Sequence, residues 1–291
     1  MMDISELSSR LRSRQRPCSY RECARKIEWS DLLHRDAGIE LDGQWLCSEN
    51  CFLAAARDLL ASIGEVRSPA VSTRTALPLG LIMVSRGDLT AAQLRIALDY
   101  QQKICPSKKI GNVLRDFGVV AEGQITRALA EQWSCPIFPL QPPEDLTVPD
   151  LLPLHLLETY GVVPVHFTSG AKMMLLGFTE ALHHSVLYAT EKMLNCRTEA
   201  CLISPSLYSR QLESLRFRGT STQIVIETMS SATEAAQIVR NYALQLSCNR
   251  VRVVSCGRYL WIRLEPKSLD ILLRIPFSPG PRKDGFLPSG M

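Results

Sequence analysis

Long apolar runs are missing from this 291-residue chain, and no segment is long enough to cross a bilayer as a helix. The start does not read as a secretory leader either. The stretch Met1 to Arg16 is polar and Arg-rich, with no apolar centre. These two absences set the expectation of a cytoplasmic, reducing location, where ten cysteines do not read as a disulfide framework. Charge of either sign is not in excess. A net charge of +4 is too mild to argue for nucleic acid or an anionic membrane as partner. Catalytic signatures are also lacking. There is no Gly-x-x-x-x-Gly-Lys-Ser/Thr loop to cradle phosphates, no Gly-x-Ser-x-Gly elbow and no His-Glu-x-x-His pair. Gly170-Ala171-Lys172 reads as a turn, and His183-His184 as surface residues of a helix. The expectation is a protein that is not an enzyme.

What is present divides into segments. Residues 1–66 read as a small cysteine-bearing unit followed by a helix from Leu53 to Ile63, ended by Gly64. Their first sixteen residues read as a basic segment, disordered or helical. A Ser/Thr-rich linker with Pro69 runs from Arg67 to Thr75. Residues 75–142 form a helical tandem-motif subdomain, and 143–217 a small unit in β-β-α-β-α order. After a boundary at Arg218 to Thr222, residues 218–277 read as a C-terminal α+β unit. It contains a helix over Thr233 to Ser247, the alternating strands RVRVVSC and YLWIRLE, and LDILLRIPF as a third strand. The Pro/Gly-rich tail, 278–291, reads as disordered. The fold class is therefore α+β, with a zinc-ribbon-like N-terminal unit, a helical tandem-repeat subdomain, a small α/β subdomain and a C-terminal α+β unit.

The internal repeat aligns without gaps. PLGLIMVSRGDLTAAQLRIALDYQ, Pro78 to Gln101, matches KIGNVLRDFGVVAEGQITRALAEQ, Lys109 to Gln132. Each copy reads as a short helix, a glycine stop and a longer helix. Thr90 with Gln93 forms a capping-box pattern in the first copy; Ala121 makes the second cap weaker. Leu94, Ala97, Leu98 and Gln101 fall on one helical face, as do Ile125, Ala128, Leu129 and Gln132. Core packing explains the apolar positions of this stripe more easily than the glutamine that closes it in both copies.

The cysteines are unevenly spread. Cys18 and Cys23 enclose four residues, and Cys47 and Cys51 enclose three, spacings that suit paired thiolates on one tetrahedral metal. Four soft donors favour Zn²⁺, and the metal would supply folding energy that so short a unit lacks. Trp29 and Trp45 would pack beside it, and His34 reads as a loop residue rather than a ligand. WLCSENCF resembles the second knuckle of zinc-ribbon and treble-clef modules; the first knuckle departs from their commoner two-residue spacing. Four reduced structural cysteines are the competing reading. The remaining six, Cys105, Cys135, Cys196, Cys201, Cys248 and Cys256, read as buried thiols.

The tandem motifs and the unit after them, from about Thr75 to Leu215 as a judged boundary, resemble the MshEN-type N-terminal domain of type II secretion and type IV pilus assembly ATPases. The resemblance implies secretion or pilus assembly proteins as partners, and some members of that family bind cyclic di-GMP through the two motifs. Carried onto this chain, it implies ligand contacts from Leu79, Gly80, Leu94, Leu98 and Gln101, then Lys109, Ile110, Gly111, Ile125, Leu129 and Gln132. The chain departs from the pattern where binding members place Arg, with Pro78 and Lys109 there instead. Lys is a point charge and Pro has no donor, so neither replaces the guanidinium fork. The spacer Gln102 to Lys108 is long, and Phe178-Thr179-Glu180 stands where Asp-Pro is usual. The C-terminal helix and hairpin resemble the domain that precedes the ATPase core. A non-catalytic adaptor or regulator is the leading expectation and a cyclic di-GMP sensor the second. A zinc-dependent DNA-binding regulator is third, suggested by Arg10, Arg12, Arg14 and Arg16; a solvated tail is the favoured reading of those arginines.

Overall fold

The computed structural model describes residues 17–23, 38–65, 77–139, 148, 151–218, 222–229 and 231–275. The basic N-terminal segment, Trp29, His34, the linker at 67–75, much of the Pro-rich connection, the centre of the 218–222 boundary and the C-terminal tail lie outside these residues. The described chain is α+β, with helices and two sheets. Among the described residues no helix is long and apolar enough to cross a membrane.

The tandem motifs fold as read. The first copy gives α2 (Leu79–Ser85) and α3 (Ala91–Ile104); the second gives α4 (Ile110–Asp116) and α5 (Glu122–Trp133). The short helices stop at Gly87 and Gly118, whose φ of 76° and 69° suit a residue without Cβ. Thr90 Oγ1 accepts from Gln93 N at 3.2 Å, and Gln93 Oε1 accepts from Thr90 N at 2.8 Å, a complete capping box. In the second copy Gln124 keeps its half, accepting from Ala121 N at 2.7 Å, and alanine offers nothing in return. Thr90→Ala should therefore cost about 1 kcal/mol of stability, measurable by chemical denaturation. Ala121→Thr should recover a comparable amount, since its reciprocal partner is already in place.

The β-β-α-β-α unit is led by α6 (Leu154–Tyr160), then β3 (Val162–Thr168), β4 (Met173–Phe178), α7 (His184–Leu194), β5 (Arg197–Leu202) and α8 (Pro205–Phe217). Its sheet runs β3-β4-β5, antiparallel and then parallel. A second sheet has six strands. β1 (Ile39–Leu41) and β2 (Gln44–Leu46) precede α1 (Glu49–Glu65), while β6 (Gln223–Ile226), α9 (Ala232–Gln245), β7 (Arg250–Cys256), β8 (Tyr259–Glu265) and β9 (Leu269–Arg274) close the chain. The strand order is β2-β1-β7-β8-β9-β6, so the cysteine-bearing hairpin extends the C-terminal sheet through parallel pairing of β1 with β7. β1, β2 and β6 were not anticipated, and α1 begins four residues before the expected Leu53.

This sheet is the middle layer of the molecule. On one face Leu260, Ile262, Leu264, Ile271 and Leu273 pack with Phe52, Ala56 and Leu60 of α1 and with Ala235, Ala236, Val239 and Ala243 of α9. On the other, Val254, Cys256, Tyr259, Trp261 and Leu272 join the core of the β-β-α-β-α unit, with Val163, Met174, Leu176 and Met193. The period-2 alternation of strands thus feeds two cores, and β8 is buried on both faces apart from its half-exposed last residue, Glu265. The tandem-motif helices hold a separate core of Ile82, Met83, Leu89, Leu94, Ala97, Val113, Leu114, Val120 and Ala128. A small cluster of Ala130, Cys135 and Leu202 joins them to β5.

Candidate functional site

Two constellations stand out in the sequence. The first is the cysteine cluster. Cys18 enters on a segment tied to β2, where Ser19 N donates to Trp45 O at 2.9 Å. Cys23 follows a turn closed by its own amide donating to Tyr20 O at 3.2 Å. Cys47 directly follows β2, and Cys51 sits in the first turn of α1, its amide donating to Ser48 Oγ at 3.3 Å. The four Sγ atoms lie within 4.8 Å of one another. Cys23 and Cys47 are 3.6 Å apart, and Cys47 and Cys51 are 3.9 Å apart. A tetrahedron with metal–sulfur bonds of ~2.3 Å has sulfur–sulfur edges of about 3.8 Å, whereas a disulfide requires ~2.05 Å. The donor set therefore fits a tetrathiolate ion and not a cross-link. Burial, and then hydrogen bonding among the neighbouring thiols, pushes the Cys47 thiol up to about 12. A cation would reverse that preference and hold the group as thiolate.

Of the other six cysteines, Cys135, Cys201, Cys248 and Cys256 are buried, and Cys105 and Cys196 are half-buried. Burial pushes Cys201 and Cys256 up to about 12, which leaves both as inert thiols.

The second constellation is the pair of tandem motifs. Pro78 and Lys109 stand at equivalent places, each the N-cap of its short helix. Gly80 and Gly111 are buried against the longer helices. A Cβ on Gly80 would lie 2.6 Å from Leu94 Cδ1, and one on Gly111 would lie 3.3 Å from Ile125 Cγ2 and 3.4 Å from Leu79 Cδ2. Both glycines thus serve close helix packing. Leu94 is buried, Leu79, Ile110, Ile125 and Leu129 are half-buried, and Leu98 is 44% exposed. Leu129 packs toward Ala130, Cys135 and Leu202 rather than into a cleft between the motifs.

The closing glutamines form a reciprocal clasp. Gln101, at the end of the first copy, donates to Lys108 O at 2.5 Å, just before the second copy begins. Gln132, at the end of the second copy, donates to Leu77 O at 2.8 Å, just before the first. Each copy thereby holds the entry of the other. Further ties run between the copies, from Gln124 Nε2 to Asp88 Oδ1 at 3.0 Å and from Arg86 to Glu131 at 3.3 Å. Lys109 is ion-paired with Glu180, whose backbone carbonyl also accepts from Trp133 Nε1 at 3.0 Å. Sequence alone does not single out Glu180 as the partner of Lys109. Its pairing crosses from the tandem motifs to the loop after β4, and its one trace in the sequence is the departure at Phe178-Thr179-Glu180.

His183 is not a surface residue of a helix body. It is the N-cap of α7, half-buried, with its ring 5.0 Å from that of Tyr160 and 6.4 Å from that of Phe178. Burial first, then the charges of Lys109 and Arg258, hold its pKa below the usual value.

No protein-family model and no curated protein matches the chain. Among solved structures, one of MshE with cdg matches at 19% identity and a TM-score of 0.39, covering 47% of this chain and 98% of that one. A structure of the N-terminal domain of XpsE matches at 18% identity and a TM-score of 0.34, covering 46% and 91%. A second crystal form of that domain matches at 18% identity and a TM-score of 0.27, covering 51% and 98%. Over about half its length, the chain is similar to these three structures.

Proposed function

We propose that the tandem-motif module is a protein-interaction scaffold, and that the chain is a non-catalytic adaptor or regulatory component of a type II secretion or type IV pilus-like system. The reciprocal clasp carries the first part of this reading. The polar groups that a dinucleotide would need already have partners: Gln101 and Gln132 donate to backbone carbonyls, and the exposed Lys109 pairs with Glu180. Pro78 supplies no donor in place of the missing guanidinium. The surface left for partners is apolar. Ile96 is 63% and Ile104 66% exposed along α3, with Tyr100 and Phe117 beside them in an edge-to-face contact at 4.9 Å. The second part, the secretion or pilus system, rests on the motif resemblance in the sequence.

Calorimetry with cyclic di-GMP separates this reading from the sensor. The parent chain and a Pro78→Arg variant should both give no binding heat at high micromolar ligand while remaining folded. Binding by the parent, abolished by Ile125→Asp in a chain that still melts cooperatively, would establish the sensor instead. The clasp has its own readout. Removing both amides in Gln101→Ala/Gln132→Ala should cost about 1–3 kcal/mol, as expected for two ordinary hydrogen bonds. An unchanged denaturation midpoint would mean that the glutamines are free for a ligand.

A further inference from the structure

We propose that Cys18, Cys23, Cys47 and Cys51 hold one Zn²⁺ as a closed tetrathiolate that fastens the β1–β2 hairpin onto the C-terminal sheet, so that metal binding and completion of that sheet are one event. The hairpin is too small to hold itself. β1 and β2 have three residues each, and isolated two-stranded ribbons are marginal even when longer. Its seam with the sheet is also short, pairing Glu40 with Arg250 and Leu41 with Val251. The seam includes hydrogen bonds from Glu40 N to Asn249 O at 2.8 Å, Asp42 N to Val251 O at 2.9 Å and Val253 N to Asp42 Oδ1 at 2.8 Å, with an ion pair from Arg250 Nε to Glu40 Oε1 at 3.2 Å.

The ligands sit where a metal would reinforce this join. Cys47 directly follows Leu46 and Cys51 directly precedes Phe52, and both Leu46 and Phe52 are fully buried in the core beneath the sheet. Fixing the two sulfurs therefore fixes two core anchors, one on β2 and one on α1. Cys18 and Cys23 complete the sphere from the segment that Ser19 ties to Trp45. Four protein ligands leave no open position for water or substrate, which makes the site structural. A sulfur-only tetrahedral sphere suits zinc or iron. Zinc is the better match of the two, because a structural clasp needs no redox chemistry and zinc has none.

The test uses the full chain, purified under reducing conditions without chelator. Elemental analysis should find about one zinc per chain. Exchange for Co²⁺ should give the visible bands and the sulfur-to-metal charge transfer of a tetrahedral thiolate site, lost in Cys23→Ser and Cys51→Ser. Because those variants can fail to fold, the decisive measurement is hydrogen exchange on the parent before and after chelation. Amides of Glu40, Asp42 and Val253 should lose protection by about tenfold or more, while those of Leu94 and Ala97 in the separate tandem-motif core stay unchanged. Metal-free protein with a protected hairpin would overturn the proposal, as would bound iron, or zinc whose removal leaves the hairpin protected. None of these outcomes bears on the scaffold reading, because the tandem-motif core shares no buried residue with the hairpin.

Discussion

Asp270→Ala should destabilise the protein by about 3–5 kcal/mol, the range measured when one partner of a buried ion pair is removed. Asp270 on β9 is 0% exposed and Arg263 on β8 is 7% exposed. They face each other across the antiparallel ladder. The guanidinium grips the carboxylate at two points, Nε to Oδ1 at 2.8 Å and Nη2 to Oδ2 at 2.7 Å. The carboxylate also accepts from Trp261 Nε1 at 2.8 Å, and the guanidinium donates onward to Leu151 O at 2.7 Å. Truncating Asp270 therefore strands a buried cation and a buried indole N–H together. Asp270→Asn keeps an acceptor and should lose less. The double variant Arg263→Met/Asp270→Leu removes both charges and should be more stable than Asp270→Ala, because the penalty comes from the unpaired group and not from the absence of the pair. Urea denaturation of the three variants, at constant slope, makes the comparison. A loss under about 1 kcal/mol for Asp270→Ala would show that Arg263 finds water or another partner in that layer.

YLWIRLE illustrates what the sequence disclosed and what it withheld. Its alternating pattern marked β8 correctly, but alternation ordinarily means one solvated face. Here Tyr259, Trp261 and Arg263 enter one core region while Leu260, Ile262 and Leu264 enter the other. The arginine was legible as a strand residue and not as a buried one, because its partner lies on the next strand. The tandem helices were legible for the opposite reason. Their signals are local: a glycine stop, a capping box and apolar residues at helical spacing, all within one copy. The role of Gln101 and Gln132 was not local, since each completes its hydrogen bond in the other copy. The cysteine cluster could be read from two short spacings. Its attachment to the sheet could not, because a three-residue strand carries too little pattern and its parallel partner lies at the far end of the chain.

The second large effect is expected at Gly257, where the β7–β8 turn meets the end of α6. Gly257 turns the β7–β8 hairpin at φ 57°. An L side chain there costs about 1–2 kcal/mol from the left-handed backbone alone. A Cβ at this position would also run into the hydroxyl of Tyr160. That hydroxyl is the hub of the turn: it donates to Cys256 O at 2.7 Å and accepts from Arg258 N at 2.8 Å. Burial, and then Cys256, pushes its pKa up to about 12, so it stays protonated and keeps both bonds through the neutral range. Gly257→Ala must displace it, and overpacking adds about 1–3 kcal/mol, for a total loss of about 2–5 kcal/mol. Tyr160→Phe should cost about 1–3 kcal/mol by leaving the two backbone groups without this partner. The two changes act on the same oxygen, so the double variant should lose less than the sum of the singles, with a coupling of about 0.5–3 kcal/mol. Additive losses would mean that the backbone angle alone sets the penalty at Gly257.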